Sequence, residues 1–135
     1  MNKYLIDASV IHGWANTKDQ HHTVCKQFIE NHINEELYFP IHSLFEIHAS
    51  CLRRKKGGTF TGLLGKFVLK NQKFISINRK FYDKCQNLKL FSLFKDLKGS
   101  DLIYACIARL GKLTLVTCNS DFDVYTKEIR VLTLK

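Results

Sequence analysis

Short apolar runs of strand character alternate with longer stretches whose apolar residues recur at helical spacing, and this alternation constrains the fold more than any other feature of the chain. Lys3 to Ile6 reads as a short buried strand ending at Asp7, and Ser9 is placed to cap a helix through Val10, Ile11 and Trp14. Val24, Cys25, Phe28, Ile29 and Ile33 give a helix over about 18–33, and Leu37-Tyr38-Phe39 a second strand closed by Pro40. Ile41, Leu44, Phe45, His48 and Leu52 follow a helical stripe up to a basic block, and Gly57-Gly58 breaks it. A weaker helix is expected over 60–68, a strand over 74–77, and one helix over 80–94 with Phe81, Cys85, Leu88 and Phe91 inward. Ser100 then caps a buried helix from Asp101 to Leu110 that stops at Gly111. Thr114 to Thr117 reads as a central strand, a short helix begins near Asp121, and 131–134 forms the last strand. Strands alternating with helices predict an α/β sandwich with a mainly parallel sheet, and ligands of such sheets sit at the carboxyl ends of the strands.

A length of 135 residues suits one domain spanning 1–135, with a core large enough to need no disulfide staples. No apolar run approaches the ~20 residues of a membrane span, and Asp7 cuts the N-terminal Tyr4-Leu5-Ile6 run short of a signal-peptide core, so the cytoplasm is the expected compartment and no membrane is involved. The five cysteines, at 25, 51, 85, 106 and 118, contain no CxxC pair, which argues against a zinc ribbon or redox motif and for small core residues. His21 and His22 are adjacent and so diverge on a helix, making a poor joint ligand.

The charge is unevenly placed. Between Ile47 and Tyr82 there is no acid, while nine of the 21 cations fall there, so the remaining twelve balance the twelve acids and the net charge of +9 belongs to this one segment. Its densest part, Arg53, Arg54, Lys55 and Lys56, favours a polyanion, nucleic acid above all, over a merely solvated lysine-rich face.

The acids fall where a parallel sheet binds its ligands. Asp7 follows the first strand, Asn119 and Asp121 follow the Thr114 to Thr117 strand, Asp101 opens the buried helix, and Glu46 sits in an apolar helical stripe. A carboxylate among apolar residues is unfavourable unless paired or metal-bound. One or two hard divalent cations would neutralise such a cluster through oxygen ligands and promote phosphodiester hydrolysis. Each acid also has a plainer reading: Asp7 as a helix cap, Asp101 as a partner of its helix dipole, Glu46 as a partner of Arg53, and Asp121 as the start of a turn.

Four stretches, in order along nearly the whole chain, resemble the motifs of PIN domains: Tyr4-Leu5-Ile6-Asp7-Ala8-Ser9-Val10-Ile11, the run from Pro40 through Ser43-Leu44-Phe45-Glu46-Ile47, Ser100-Asp101-Leu102-Ile103-Tyr104-Ala105-Cys106-Ile107-Ala108, and Leu115-Val116-Thr117-Cys118-Asn119-Ser120-Asp121-Phe122. The resemblance implies a three-layer α/β/α sandwich and a metal-dependent endoribonuclease, often the toxin of a bacterial toxin–antitoxin pair, working as a homodimer silenced by an antitoxin. It implies Asp7, Glu46 and Asp101 as metal carboxylates holding Mg²⁺ or Mn²⁺. Many members carry an aspartate where this chain has Asn119, which makes Asp121 the substitute and Asp123 a poorer one. Ser9, Thr117 and Asn119 would support the acids, and Arg53, Arg54, Lys55 and Lys56 would hold the RNA backbone.

Two other classes stand beside this one. Asn119 favours an RNA-binding module that has lost catalysis. A haloacid-dehalogenase-type phosphatase also carries Asp after its first strand, but wants a second aspartate where Ser9 stands. A dinucleotide or P-loop site lacks its glycine signature, and a phosphoacceptor receiver lacks its acidic pair.

Overall fold

Tyr4, Leu5 and Ile6 are all buried, so the first strand has both faces covered, as the central strand of a parallel sheet must. The structure, a computed structural model, describes residues 2–53 and 72–135, with the side chains of Cys51 and Gln72 outside that description. The elements run β1 (Lys3–Ile6), α1 (Ala8–Ala15), α2 (His22–His32), β2 (Glu36–Pro40), α3 (Ile41–Arg53), β3 (Gln72–Ile75), α4 (Arg79–Asn87), α5 (Leu90–Leu93), α6 (Ser100–Gly111), β4 (Thr114–Thr117), a 3-10 turn over Ser120–Tyr125, and β5 (Arg130–Thr133). The helix expected over 60–68 and the Gly57-Gly58 break lie outside the described residues.

The five strands form one sheet in the order β3-β2-β1-β4-β5, and every pairing is parallel. Strand alternation sends Tyr4, Ile6 and Val116 to one face, where they pack with Val10, Ile11, Phe28, Ile29 and Ile47 of α1, α2 and α3. Leu5 and Leu115 face the opposite layer of Cys85, Leu90, Phe94 and the Tyr104 to Ala108 run. Helices cover both faces, which gives the three-layer sandwich that the sequence predicts. Strand order reverses between β1 and β4, so the crevice of the fold opens at the ends of those two strands.

Several local expectations are corrected. The stretch over 80–94 is two helices, because Lys89 adopts a left-handed conformation (φ 57°); the turn lets Leu90 and Phe94 enter the core and leaves Leu88 55% exposed rather than inward. The second helix begins at His22, after turns over 16–21, where Asp19 Oδ1 accepts from the His21 amide at 2.8 Å. Ser9 caps nothing: α1 begins at Ala8, and Ser9 lies inside it. Ser100 likewise begins α6 from within, and the capping position belongs to Gly99, whose φ of +53° with ψ of −126° suits a residue without a Cβ. Gly111 is the last residue of α6, and the left-handed stop is Lys112. The strand expected over 74–77 runs from Gln72 to Ile75, and the last strand begins one residue earlier, at Arg130.

Candidate active site

The acids gather at the carboxyl end of the sheet, each delivered by a different element. Asp7 follows β1, and its N–H continues the ladder to Val116 O at 3.0 Å. It occupies the capping position of α1, yet its side chain makes no capping hydrogen bond. Instead Asp7 Oδ2 accepts from Thr117 Oγ1 at 2.6 Å and from Ser9 Oγ at 3.0 Å. Thr117 Oγ1 in turn accepts from the Asn119 amide at 3.0 Å, and Ser9 Oγ from the Cys118 amide at 3.1 Å. Asp7 is 6% exposed and Thr117 fully buried. Burial pushes the Asp7 carboxyl above its ordinary value, against the pull of the two hydroxyl donors. The cap reading of Asp7 therefore fails, and Ser9 and Thr117 serve as its positioning groups.

Asp101 lies in the first turn of α6, where the helix dipole favours it. Its Oδ2 accepts from Asn119 Nδ2 at 3.2 Å. Burial, then the charges of Asp7, Asp121 and Glu46, raise its carboxyl to about 6, and the Asn119 bond opposes the shift. Glu46 reaches in from α3. Its Oε2 accepts from Ser100 Oγ at 3.0 Å, and its Oε1 stands 3.3 Å from His42 Nε2 without hydrogen-bond geometry. Its partners are thus Ser100 and His42, and not Arg53. Asp121 is exposed and sits just inside the 3-10 turn that Asn119 caps by accepting from the Asp121 amide at 2.9 Å. Asp123 is tied to β5 through Thr133 Oγ1 at 2.6 Å.

Sequence reasoning missed two groups. Tyr104 lies one helical turn past Asp101, fully buried, and its hydroxyl accepts from the Ala8 amide at 3.1 Å, which pins the start of α1 beside Asp7. Burial and the Asp7 and Glu46 charges push its phenol well up. His42 precedes Glu46 by four residues; its ring centroid is 5.3 Å from that of Tyr104, and burial holds its pKa below the usual value despite both acids. The available signals were spacings, i+3 from Asp101 and i−4 from Glu46, each masked by an apolar helix pattern.

These acids suit a hard divalent cation by chemistry: their donors are oxygens, their charges crowd one another, and Glu46 Oε1 is buried without a hydrogen bond. Among the described residues no group of three or more His, Cys, Asp and Glu side chains stands close enough together to hold a metal ion as they are placed. His21 and His22 turn to separate partners, Asp19 and the Gly13 carbonyl.

The basic segment is only partly on view. Arg53 is exposed at the end of α3, while Arg54, Lys55 and Lys56 lie outside the described residues. Lys73 is ion-paired to Glu36 at 2.8 Å and Arg79 to Asp83 at 3.3 Å, so two of the nine cations are engaged within the chain. No helix of the described residues is long and apolar enough to cross a membrane.

A parallel sheet with acids at its switch point defines the class: an α/β protein with an acidic centre between its first and fourth strands. The chain belongs to the PIN domain family, whose model matches residues 4–128. No curated protein sequence matches it. Among solved structures, it is similar to a chain of VapBC2 from Rickettsia felis bound to a DNA fragment of its promoter, at 18% identity and a TM-score of 0.75 over 98% of each chain. It is similar to a chain of DNA-bound VapBC from Salmonella typhimurium, at 13% identity and 0.75 over 100% of each. It is also similar to Mycobacterium tuberculosis VapC20, a sarcin-ricin loop cleaving toxin, at 12% identity and 0.67 over 84% of this chain and 87% of that one. At these identities the likeness establishes the fold.

Proposed function

We propose that the chain is a divalent-metal-dependent endoribonuclease that hydrolyses RNA phosphodiester bonds as the toxin of a toxin–antitoxin pair. The observation that carries this reading is the placement of four acids, delivered by four elements, at the sheet's switch point, where burial and then the charges of Asp7, Asp121 and Glu46 raise Asp101. Family membership, the VapBC neighbours and the sarcin-ricin loop cleaving neighbour support it.

Mg²⁺ or Mn²⁺ held by Asp7, Glu46, Asp101 and Asp121 would supply the Lewis acidity that polarises the phosphodiester and readies the attacking water. The chain's own residues prepare that place. Ser9 and Thr117 fix the Asp7 carboxylate, Asn119 turns Asp101, and Ser100 orients Glu46. Asn119 also ties Thr117, Asp101 and Asp121 into one network, so it serves here as a positioning residue beside Asp121. Arg53, with Arg54, Lys55 and Lys56, holds the phosphate backbone, which positions rather than specifies. An antitoxin segment covers the acidic end and offers an arginine to the carboxylates, a planar fork suited to them. The toxin acts in the cytoplasm as a homodimer.

The Asn119–Asp101 bond favours a second reading, an RNA-binding module in which an amide meets the acid without catalysis. Incubation with mixed RNA, with Mn²⁺ or Mg²⁺ and with chelator, separates the two. Cleavage that needs the metal supports the nuclease; RNA that shifts yet stays intact under both conditions supports the binder. Replacing Arg53 and Arg54 by alanine weakens RNA binding and reduces the log–log salt slope by roughly one per lost phosphate contact. An unchanged slope would mean that the block is only a solvated face.

A further inference from the structure

Two cysteines far apart in sequence meet beside the acidic site. Cys25 lies in α2 and Cys118 directly follows β4, and their Sγ atoms are 3.4 Å apart. Both are free thiols; Cys25 is fully buried, and Cys118 is half-buried. Gly13 holds the Cys25 sulfur from the other side, since a Cβ there would stand 2.6 Å from it. The Cys118 amide donates to Ser9 Oγ, which donates to Asp7, so the pair is linked through two hydrogen bonds to the innermost acid.

We infer that Cys25 and Cys118 form an oxidative modification site, a dithiol that hydrogen peroxide closes to a disulfide. The inference stands apart from the nuclease reading, because it rests on the two sulfurs and their setting. Cys118 is the more exposed residue of the two, which makes its sulfur the first target of the oxidant in this scheme. Its thiolate attacks the peroxide: an S–O bond forms, the O–O bond breaks, water leaves, and Cys118 becomes a sulfenic acid. The Cys25 sulfur then attacks the Cys118 sulfur: the S–S bond forms, the S–O bond breaks, and a second water leaves. The two thiols lose two protons and two electrons, and one peroxide is reduced to two waters. A disulfide is about 2.05 Å long, so the sulfurs approach by about 1.3 Å, within reach of rotating two short side chains. A hydrogen bond from one thiol to the other favours a thiolate on the acceptor, and Cys118 is the partner open to solvent. The other neighbouring thiols, Cys85 and Cys106, are each 1% exposed and lack a sulfur in that half-open position.

The test uses the full reduced chain, treated with a small excess of hydrogen peroxide, digested without reductant and mapped by mass spectrometry. A peptide joining Cys25 to Cys118, lighter by two hydrogens, is expected. It should appear with a rise in melting temperature on the order of 10 °C, because the bridge closes a long loop of the unfolded chain. Dithiothreitol should reverse both. Cys118→Ser should abolish the linked peptide and the reductant-sensitive shift; should that variant fail to fold, the wild-type map alone decides. Wild-type protein that stays folded with Cys25 and Cys118 unlinked, or that joins any other pair first, overturns the inference.

Discussion

Asp7 and Asp101 stand at the same end of the sheet, yet the protein holds them in opposite ways. Asp7 is buried at a strand end and takes two hydroxyl donors on one oxygen, from neighbours that are themselves hydrogen-bonded to backbone amides. Asp101 is half-buried at a helix start, takes one amide donor, and feels three other acids. The first is anchored by the scaffold, and the second is strained by its company. An acidic cluster built this way keeps one carboxylate rigid while concentrating its uncompensated charge on the other.

Removing each acid gives the sharpest contrast. Asp7→Ala should abolish metal-dependent RNA cleavage and also destabilise the protein by about 1–3 kcal/mol, because the buried Thr117 hydroxyl and the part-buried Ser9 hydroxyl lose their acceptor. Asp101→Asn should abolish cleavage too, yet melt at or above the wild-type temperature without metal, by up to about 1 kcal/mol once its exposure is discounted. Mn²⁺ should then raise the wild-type melting temperature and the mutant's much less. If Asp101→Asn cleaves at the wild-type rate, or melts far earlier, Asp101 is only a partner of its helix dipole and the contrast collapses.

Next in size is the support around Asp7. Thr117→Val keeps the shape but removes the 2.6 Å donor, and should lower activity by roughly 10–100-fold, the usual loss when a group orienting a metal ligand is deleted. Activity within twofold of wild type would show that Ser9 alone positions the carboxylate. Tyr104→Phe acts one step further out. It leaves the buried Ala8 amide without an acceptor and should cost about 1–3 kcal/mol in denaturant unfolding; an unchanged midpoint would mean that another acceptor replaces the phenol.

The smallest effect is a pH dependence. The folded Asp101 carboxyl is raised from 3.8 to about 6, so the native state binds more protons than the unfolded chain in that window. Its contribution is favourable at low pH and is lost as pH rises through about 6. Asp101→Asn removes this term, so the mutant's stability relative to wild type should grow between pH 4 and 6 in chelator and level off above. A difference that stays flat over that range would place Asp101 outside the crowded cluster.

The strands, the parallel sheet and the flanking helices were legible in the sequence, apart from the split of 80–94 into two helices, since apolar period and strand-to-helix alternation depend on neighbouring residues alone, while the three layers came with the PIN-domain resemblance. That Asp7 and Asp101 approach the same end of the sheet was legible too, because β1 ends there and the helix that opens at Asp101 starts there before running back to feed β4. Finer assignments failed where a side chain chose a partner other than the one its local spacing suggests. Ser9 and Ser100 have the composition of helix caps, yet their hydroxyls turn to Asp7 and Glu46. Glu46 found Ser100 and His42, from α6 and its own helix, where sequence spacing suggested Arg53.

Local pattern therefore determined which residues reach the carboxyl end of the sheet. Tertiary packing alone decided what each meets there, because hydrogen bonds and charge interactions act over a few ångströms and ignore sequence separation. Tyr104 reaches Ala8 across 96 positions, Thr117 reaches Asp7 across 110, and Cys25 reaches Cys118 across 93. The rise of Asp101 to about 6 belongs to the same level, since it is produced by burial and by three acids that no sequence period brings together.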